Sequence, residues 1–226
     1  MISIAQPRIL DYNNQDKYEY AGASGGYLDF LGYPFCRGRI LGNIEKSDKY
    51  NTTREIFWAS GSCFIIRKSI FKLLNGFDED FFCHMEEIDL CWRLKNLNSN
   101  YKIITIGKAN VYHVGGGTMQ YGENRKNYLN FRNSLVMLIK NLPKKYFIFS
   151  LFLRLICDLF ILIFSVLLFR FGLSFSILSA YYFNILNFRK SLSKRKKGLV
   201  PYKYFICFSI LINYYFFGKK TFSSIK

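Results

Sequence analysis

Residues 146–169 run almost without charge, broken only by Arg154 and Asp158, and two further apolar stretches follow at 171–188 and 204–218. Whatever this chain folds into must cover those segments with protein or with lipid. A membrane-crossing helix needs about 20 mainly apolar residues, so the first stretch is long enough to span. Arg154 and Asp158 lie four apart and can pair on one helical face. Charge inside a bilayer costs at least a few kcal/mol, which makes lying in the membrane interface the easier arrangement.

Charge divides the chain in the same place. The whole sequence carries 32 Lys and Arg against 15 Asp and Glu, but from residue 140 onward the only acid is Asp158. A basic, aromatic tail suits a phosphate-dense partner, either nucleic acid or an anionic lipid surface. Its aromatic residues sit in long apolar runs and are not interleaved with Lys and Arg, which favours lipid over nucleic acid. The run containing Arg189, Lys190, Lys194, Arg195, Lys196 and Lys197 is expected to sit on lipid phosphates, at about 1 kcal/mol for each cation. Six cysteines without a CxxC pair, and no cleavable leader, argue against a disulfide framework or a zinc site and for a reducing, cytoplasmic setting.

Residues 1–139 have a different texture. An apolar opening segment predicts a strand over residues 1–10, followed by a turn at DYNNQD. The glycine-rich YAGASGGYLDFLGYPFCRGR predicts an extended surface loop of the kind that passes close to a ligand. IFWASGSCFIIR reads as a buried strand with a small-residue turn, and helices are expected over 69–75, ended by Gly76, and over 84–97. Two short strands around Gly107 precede the glycine turn HVGGGT, and a further helix covers 124–140. Alternation of strands and helices makes this part α/β, a mixed sheet flanked by helices, with membrane-associated helices behind it.

The densest signal is GFDEDFFCHMEEIDLCWR, residues 76–93. Glu86, Glu87 and Asp89 stand at a helix start, where acids also interact favourably with the helix dipole. Arg93 can steady them through a charge-assisted bond, and Trp92 is expected to pack beneath the helix. Together with WASGSCFIIRKSIF before it, and VYHVGGGT and YLNFRNSLVMLIKNLP after it, this segment resembles the acceptor-site region of family 2 glycosyltransferases, in particular rhamnosyltransferase-like members.

That resemblance implies a partial GT-A type fold over residues 1–145, with residues 146–226 as a membrane-associated tail. It implies transfer of a hexosyl or deoxyhexosyl group, with inversion, from a nucleotide sugar to a lipid-linked or cell-surface polysaccharide acceptor. Glu87 takes the family's general-base position, with Glu86 and Asp89 as neighbouring alternatives. Trp58, Gly61, Ser62, Arg93, Gly115, Gly116, Arg132 and Asn133 fall at binding positions, the last two as a phosphate-contacting pair. His113 falls on the loop near the donor diphosphate, where imidazole can ligate a divalent metal, Mn2+ or Mg2+.

The resemblance also fails in one place. No DxD precedes Gly76, and Asp78 and Asp80 in FDED lie in the acceptor segment, where they read as a turn. The donor-binding half and the main aspartate ligands are therefore expected outside this chain, in a truncated or split enzyme on the cytoplasmic face of the inner membrane. The rival reading is a non-catalytic membrane-interface protein with no donor at all.

Overall fold

The computed structural model describes residues 1–19, 22–115, 122–195 and 205–225. Gly116, Lys196 and Lys197 lie outside the described residues. The architecture is mixed α/β. Strand β1 (Ile2–Asp11) is followed by a meander of β2 (Gly26–Leu28), β3 (Pro34–Cys36), β4 (Arg39–Ile40) and β5 (Asn43–Ile44). Short β6 (Arg54–Glu55) and β7 (Ile65–Ile66) lead to helix α1 (Lys68–Leu73), helix α2 (Glu86–Leu97) and strand β8 (Lys102–His113). Helices α3 (Glu123–Asn141), α4 (Lys144–Leu167), α5 (Phe171–Leu186), α6 (Phe188–Ser193), α7 (Ile210–Tyr215) and α8 (Phe222–Ile225) complete the chain.

The main sheet has the order β6-β8-β1-β7, with β1 parallel to β8 and the two short outer strands antiparallel. Where two strands were expected around Gly107, one strand runs through. A register shift between Pro7 and Arg8 absorbs the irregularity. Gly107 itself lies against the backbone of Asn51, and a Cβ there would come within 2.1 Å of the Asn51 carbonyl oxygen. Only glycine allows that approach.

The glycine-rich stretch is not a surface loop. Its described residues form the buried β2–β5 meander, a second sheet of four antiparallel strands. Gly26 lies under the indole of Trp58, where any Cβ would overlap the ring. The absent side chain is what lets Trp58 seal that sheet.

The tail joins the core that it encloses. Phe205 packs edge-on against Trp92 and stacks on Phe57, while Phe30 meets Tyr146, Phe205 and Phe208. Ile210, Phe222 and Ile225 are buried in the same cluster. Backbone bonds tie the segments together: Ile210 N–H donates to Asp29 Oδ2 at 2.8 Å, and Phe222 N–H to Glu45 Oε2 at 2.9 Å.

Helix α4 is the one helix among the described residues long and apolar enough to cross a membrane by length and composition. Its two charges do not face outward. Arg154 donates to Asp158 at 2.8 Å, to Ser134 Oγ at 2.8 Å and to the Leu31 carbonyl, while its guanidinium stacks 3.6 Å from the Tyr33 ring centre. Asp158 also accepts from the hydroxyls of Tyr33 and Tyr181. The polar stripe of α4 is thus spent on the protein body, and the opposite face exposes Phe149, Phe152, Phe160, Ile163 and Phe164.

Candidate active site

The segment from Gly76 to α2 carries the site, and its backbone is unusual. Phe82, His84 and Met85 have φ of 62°, 67° and 70°, a conformation that side-chain-bearing residues seldom adopt. Such strain persists only where surrounding structure holds it. Here the holder is Asn133 on α3, whose amide nitrogen lies 3.0, 2.8 and 2.7 Å from the carbonyl oxygens of Phe81, Cys83 and His84. Arg132 donates to the Phe81 carbonyl at 2.7 Å and to Asn133 Oδ1 at 2.7 Å. The Arg-Asn pair expected on a phosphate is thus bound to the loop that delivers the carboxylates.

The three candidate carboxylates part company. Asp89 has no exposed surface, and its oxygens receive Arg93 Nε at 2.7 Å, Asn141 Nδ2 at 2.7 Å and Lys140 Nζ at 2.9 Å. Arg93 spends its other nitrogens on the carbonyls of Leu74 and Gly76, fastening the end of α1 to α2. Both residues hold the scaffold, and neither is placed toward the site opening.

Glu86 and Glu87, the first two residues of α2, are half-buried side by side, and Oε2 of each is buried without a hydrogen-bond partner among the described residues. Burial, reinforced by the adjacent Glu86, pushes the Glu87 carboxyl up to about 7. Backbone N–H groups of Gly61, Glu87 and Ile88 offset this only in part. Burial raises Glu86 as well. Gly61 and Ser62 are exposed, and a Cβ on Gly61 would touch the Glu87 side chain at 3.8 Å, so these residues form an open lip above that carboxylate. Ser62 shares a 2.8 Å bond with Ser60.

Trp58 is placed differently from the sugar-binding position expected of it. It is 6% exposed, and its indole N–H donates to the Tyr27 carbonyl at 2.9 Å.

His113 closes the end of β8 opposite Asp11, at the carboxyl edge of the parallel pair, where α/β sheets place their ligands. Its Nδ1 lies 3.2 Å from Glu19 Oε2, and Gly115 sits against the other oxygen of the same carboxylate. Glu19 was not singled out in the sequence, because nothing local links it to a residue 94 positions on. The Cys36 thiol is pushed up to about 12 by burial, with Glu87 and Glu19 both adding to the rise. The two acidic features therefore bracket one buried thiol. Among the described residues no three His, Cys, Asp or Glu side chains converge on a common point. Two donors fall short of the six or more oxygens a hard divalent cation takes, so His113 and Glu19 do not fit such a site by themselves.

Asp78 and Asp80 are answered by the tail. Lys194 reaches Asp78 and Asp80 at 2.6 Å each, Lys190 reaches Asp80 at 2.8 Å and Lys140 reaches Asp78 at 2.6 Å. Arg195 donates to the carbonyls of Ile139 and Leu142. Three of the cations assigned to lipid phosphates are thus engaged by protein groups, leaving Arg189 exposed.

No family model matches the chain. An N-acetylglucosaminyl-diphospho-decaprenol L-rhamnosyltransferase of Mycobacterium tuberculosis is 38% identical over 60 residues, covering 26% of this chain and 19% of the relative. Rhamnosyltransferase WbbL of Escherichia coli is 43% identical over 66 residues, 29% of this chain and 24% of the relative. A low-salt glycan biosynthesis hexosyltransferase, Agl10 of Haloferax volcanii, is 28% identical over 132 residues, 58% of this chain and 39% of the relative. The kinship is with glycosyltransferases. The chain spans between about a fifth and two fifths of the length of these glycosyltransferases.

Proposed function

We propose that this chain is the acceptor-side part of an inverting family 2 glycosyltransferase of GT-A type, working with a donor-binding part supplied from outside it. The observation that carries the reading is the half-buried Glu86–Glu87 pair at an open glycine lip, each with an unused buried oxygen. A base is most effective when its pKa lies near the working pH, and Glu87 is raised to about 7.

The step is a single displacement. Glu87 accepts the proton of an acceptor hydroxyl as that oxygen bonds to the anomeric carbon of a nucleotide sugar, and the nucleoside diphosphate departs with the electron pair of the broken bond. Asn133 and Arg132 act by holding the strained run 82–85 in place. A divalent cation, Mn2+ or Mg2+, would neutralise the leaving diphosphate, and its principal ligands belong to the donor-binding part. The relatives' names support a hexosyl or deoxyhexosyl donor.

The test is a pH–rate profile of transfer by the assembled enzyme. Glu87 must be ionised to act, so the rate is expected to fall tenfold per unit as pH drops below about 7, a limb set by the raised carboxyl. A profile flat from pH 5 to 8 would remove Glu87 from the base role.

The exposed faces of α4 and α5 support attachment to the cytoplasmic face of a membrane, lying in its interface, since Arg154 and Asp158 keep one side of α4 on the protein. Each buried Phe or Leu contributes about 1.5–3 kcal/mol. Phe160→Glu combined with Phe164→Glu is expected to abolish flotation with anionic vesicles; unchanged flotation would show that another surface holds the lipid.

A further inference from the structure

A cleft of about 360 Å³ opens between the first turns of α3 and α5, lined by Asn124, Arg125, Tyr128, Phe175, Ser176 and Ser179. Its walls are fastened to one another. Ser176 Oγ donates to the Asn124 carbonyl at 2.8 Å, Arg170 reaches Glu123 at 3.5 Å, and Gly172 lies so near Asn124 that a Cβ would come within 2.3 Å of its amide oxygen. The cleft is therefore a built feature of the fold.

Its two rims differ in chemistry. On one side Phe171, Phe175, Leu178 and Tyr182, spaced 4, 3 and 4 apart along α5, carry the exposed apolar face up to the opening. On the other side the Arg125 guanidinium stands 5.7 Å from the ring centre of Phe82, in the strained run that leads to Glu86 and Glu87. Lys126 lies close enough to His84 to add to the burial that lowers that imidazole's pKa. A cationic rim beside the carboxylates thus meets an apolar rim continuous with the outer face of the tail.

We propose that this cleft binds the isoprenoid diphosphate end of a lipid-linked acceptor. Arg125 takes phosphate oxygens, with the planar fork that suits them, and the chain leaves over Phe175 along α5. The sugar is then directed past Phe82 toward Glu87. A free nucleotide would leave the apolar rim in water, and a soluble polysaccharide would use neither rim. The assignment deepens the glycosyltransferase reading and rests on it for the identity of the acceptor.

Farnesyl diphosphate is a suitable probe, titrated calorimetrically into the full chain in detergent. It is expected to bind at least tenfold more tightly than farnesol or inorganic pyrophosphate. Arg125→Glu, which reverses the rim charge, and Ser179→Trp, which fills the cleft, should each weaken it at least tenfold, about 1.4 kcal/mol. An unchanged melting temperature would show that both variants remain folded. Affinity that ignores both substitutions, or pyrophosphate binding as tightly as the probe, overturns the proposal. So does full displacement of the probe by anionic phospholipid vesicles at equal phosphate, which would mark the cleft as a general headgroup contact. Glu87→Gln separates this proposal from the catalytic one. It should leave probe affinity unchanged, and an assembled enzyme inactive in transfer whose binding still responds to Arg125 would sink the transferase reading alone.

Discussion

Asp89→Ala is expected to cost the fold about 3–5 kcal/mol, the usual loss when one partner of a buried ion pair is removed. The carboxylate has no exposed surface and receives Arg93, Lys140 and Asn141 at once. Lys140 is itself buried and keeps only Asp78 when Asp89 is gone, while Arg93 loses its one carboxylate. Both cations would remain in the interior with less compensation than their burial demands. Urea denaturation of the full chain measures the effect. A loss below about 1 kcal/mol, the scale of an exposed pair, would mean that the network contributes little.

Two residues earlier, Glu87→Gln should behave in the opposite way. A buried carboxyl that resists ionisation is easily replaced by its neutral amide, so stability should hold or rise. Transfer by the assembled enzyme should fall about 10²–10⁴-fold, the usual contribution of a positioned base, with acceptor KM little changed. Loss of stability without loss of transfer would reverse the two assignments. The pair of variants therefore distinguishes scaffold from chemistry within a single turn of α2.

That distinction was invisible in the sequence. Helical spacing places Glu86, Asp89 and Arg93 on one side of α2, but it does not say that α3 packs against Asp89 with Lys140 and Asn141. Periodicity and caps located α1, α2 and α3 to within two residues, because those signals are local. The continuous run of β8 and the burial of the glycine meander were missed, since both depend on backbone approaching backbone at Gly107 and on Trp58 covering Gly26. The FDED motif was rightly read as a turn, Asp78 accepting from Asp80 N–H at 3.1 Å. Its lysine partners on α6 and just beyond lie more than a hundred residues away. Arg154 and Asp158 were legible as a pair, but the tyrosines that receive them were not.

The parallel pairing of β1 with β8 also fixes an order of events in time. Ile2 faces Lys102 and Asp11 faces His113, so the central ladder closes a loop of about a hundred residues, an entropic cost of about 4 kcal/mol. Parallel, non-local pairing is slow to form. At synthesis rates of about 5–20 residues per second, β1 leaves the ribosome on the order of 5–20 seconds before its main partner exists. The β2–β5 meander, whose strands are sequence neighbours, can form meanwhile. Newly made chains therefore carry an apolar strand with open edges through much of their synthesis, and the first strand made is among the last to be settled.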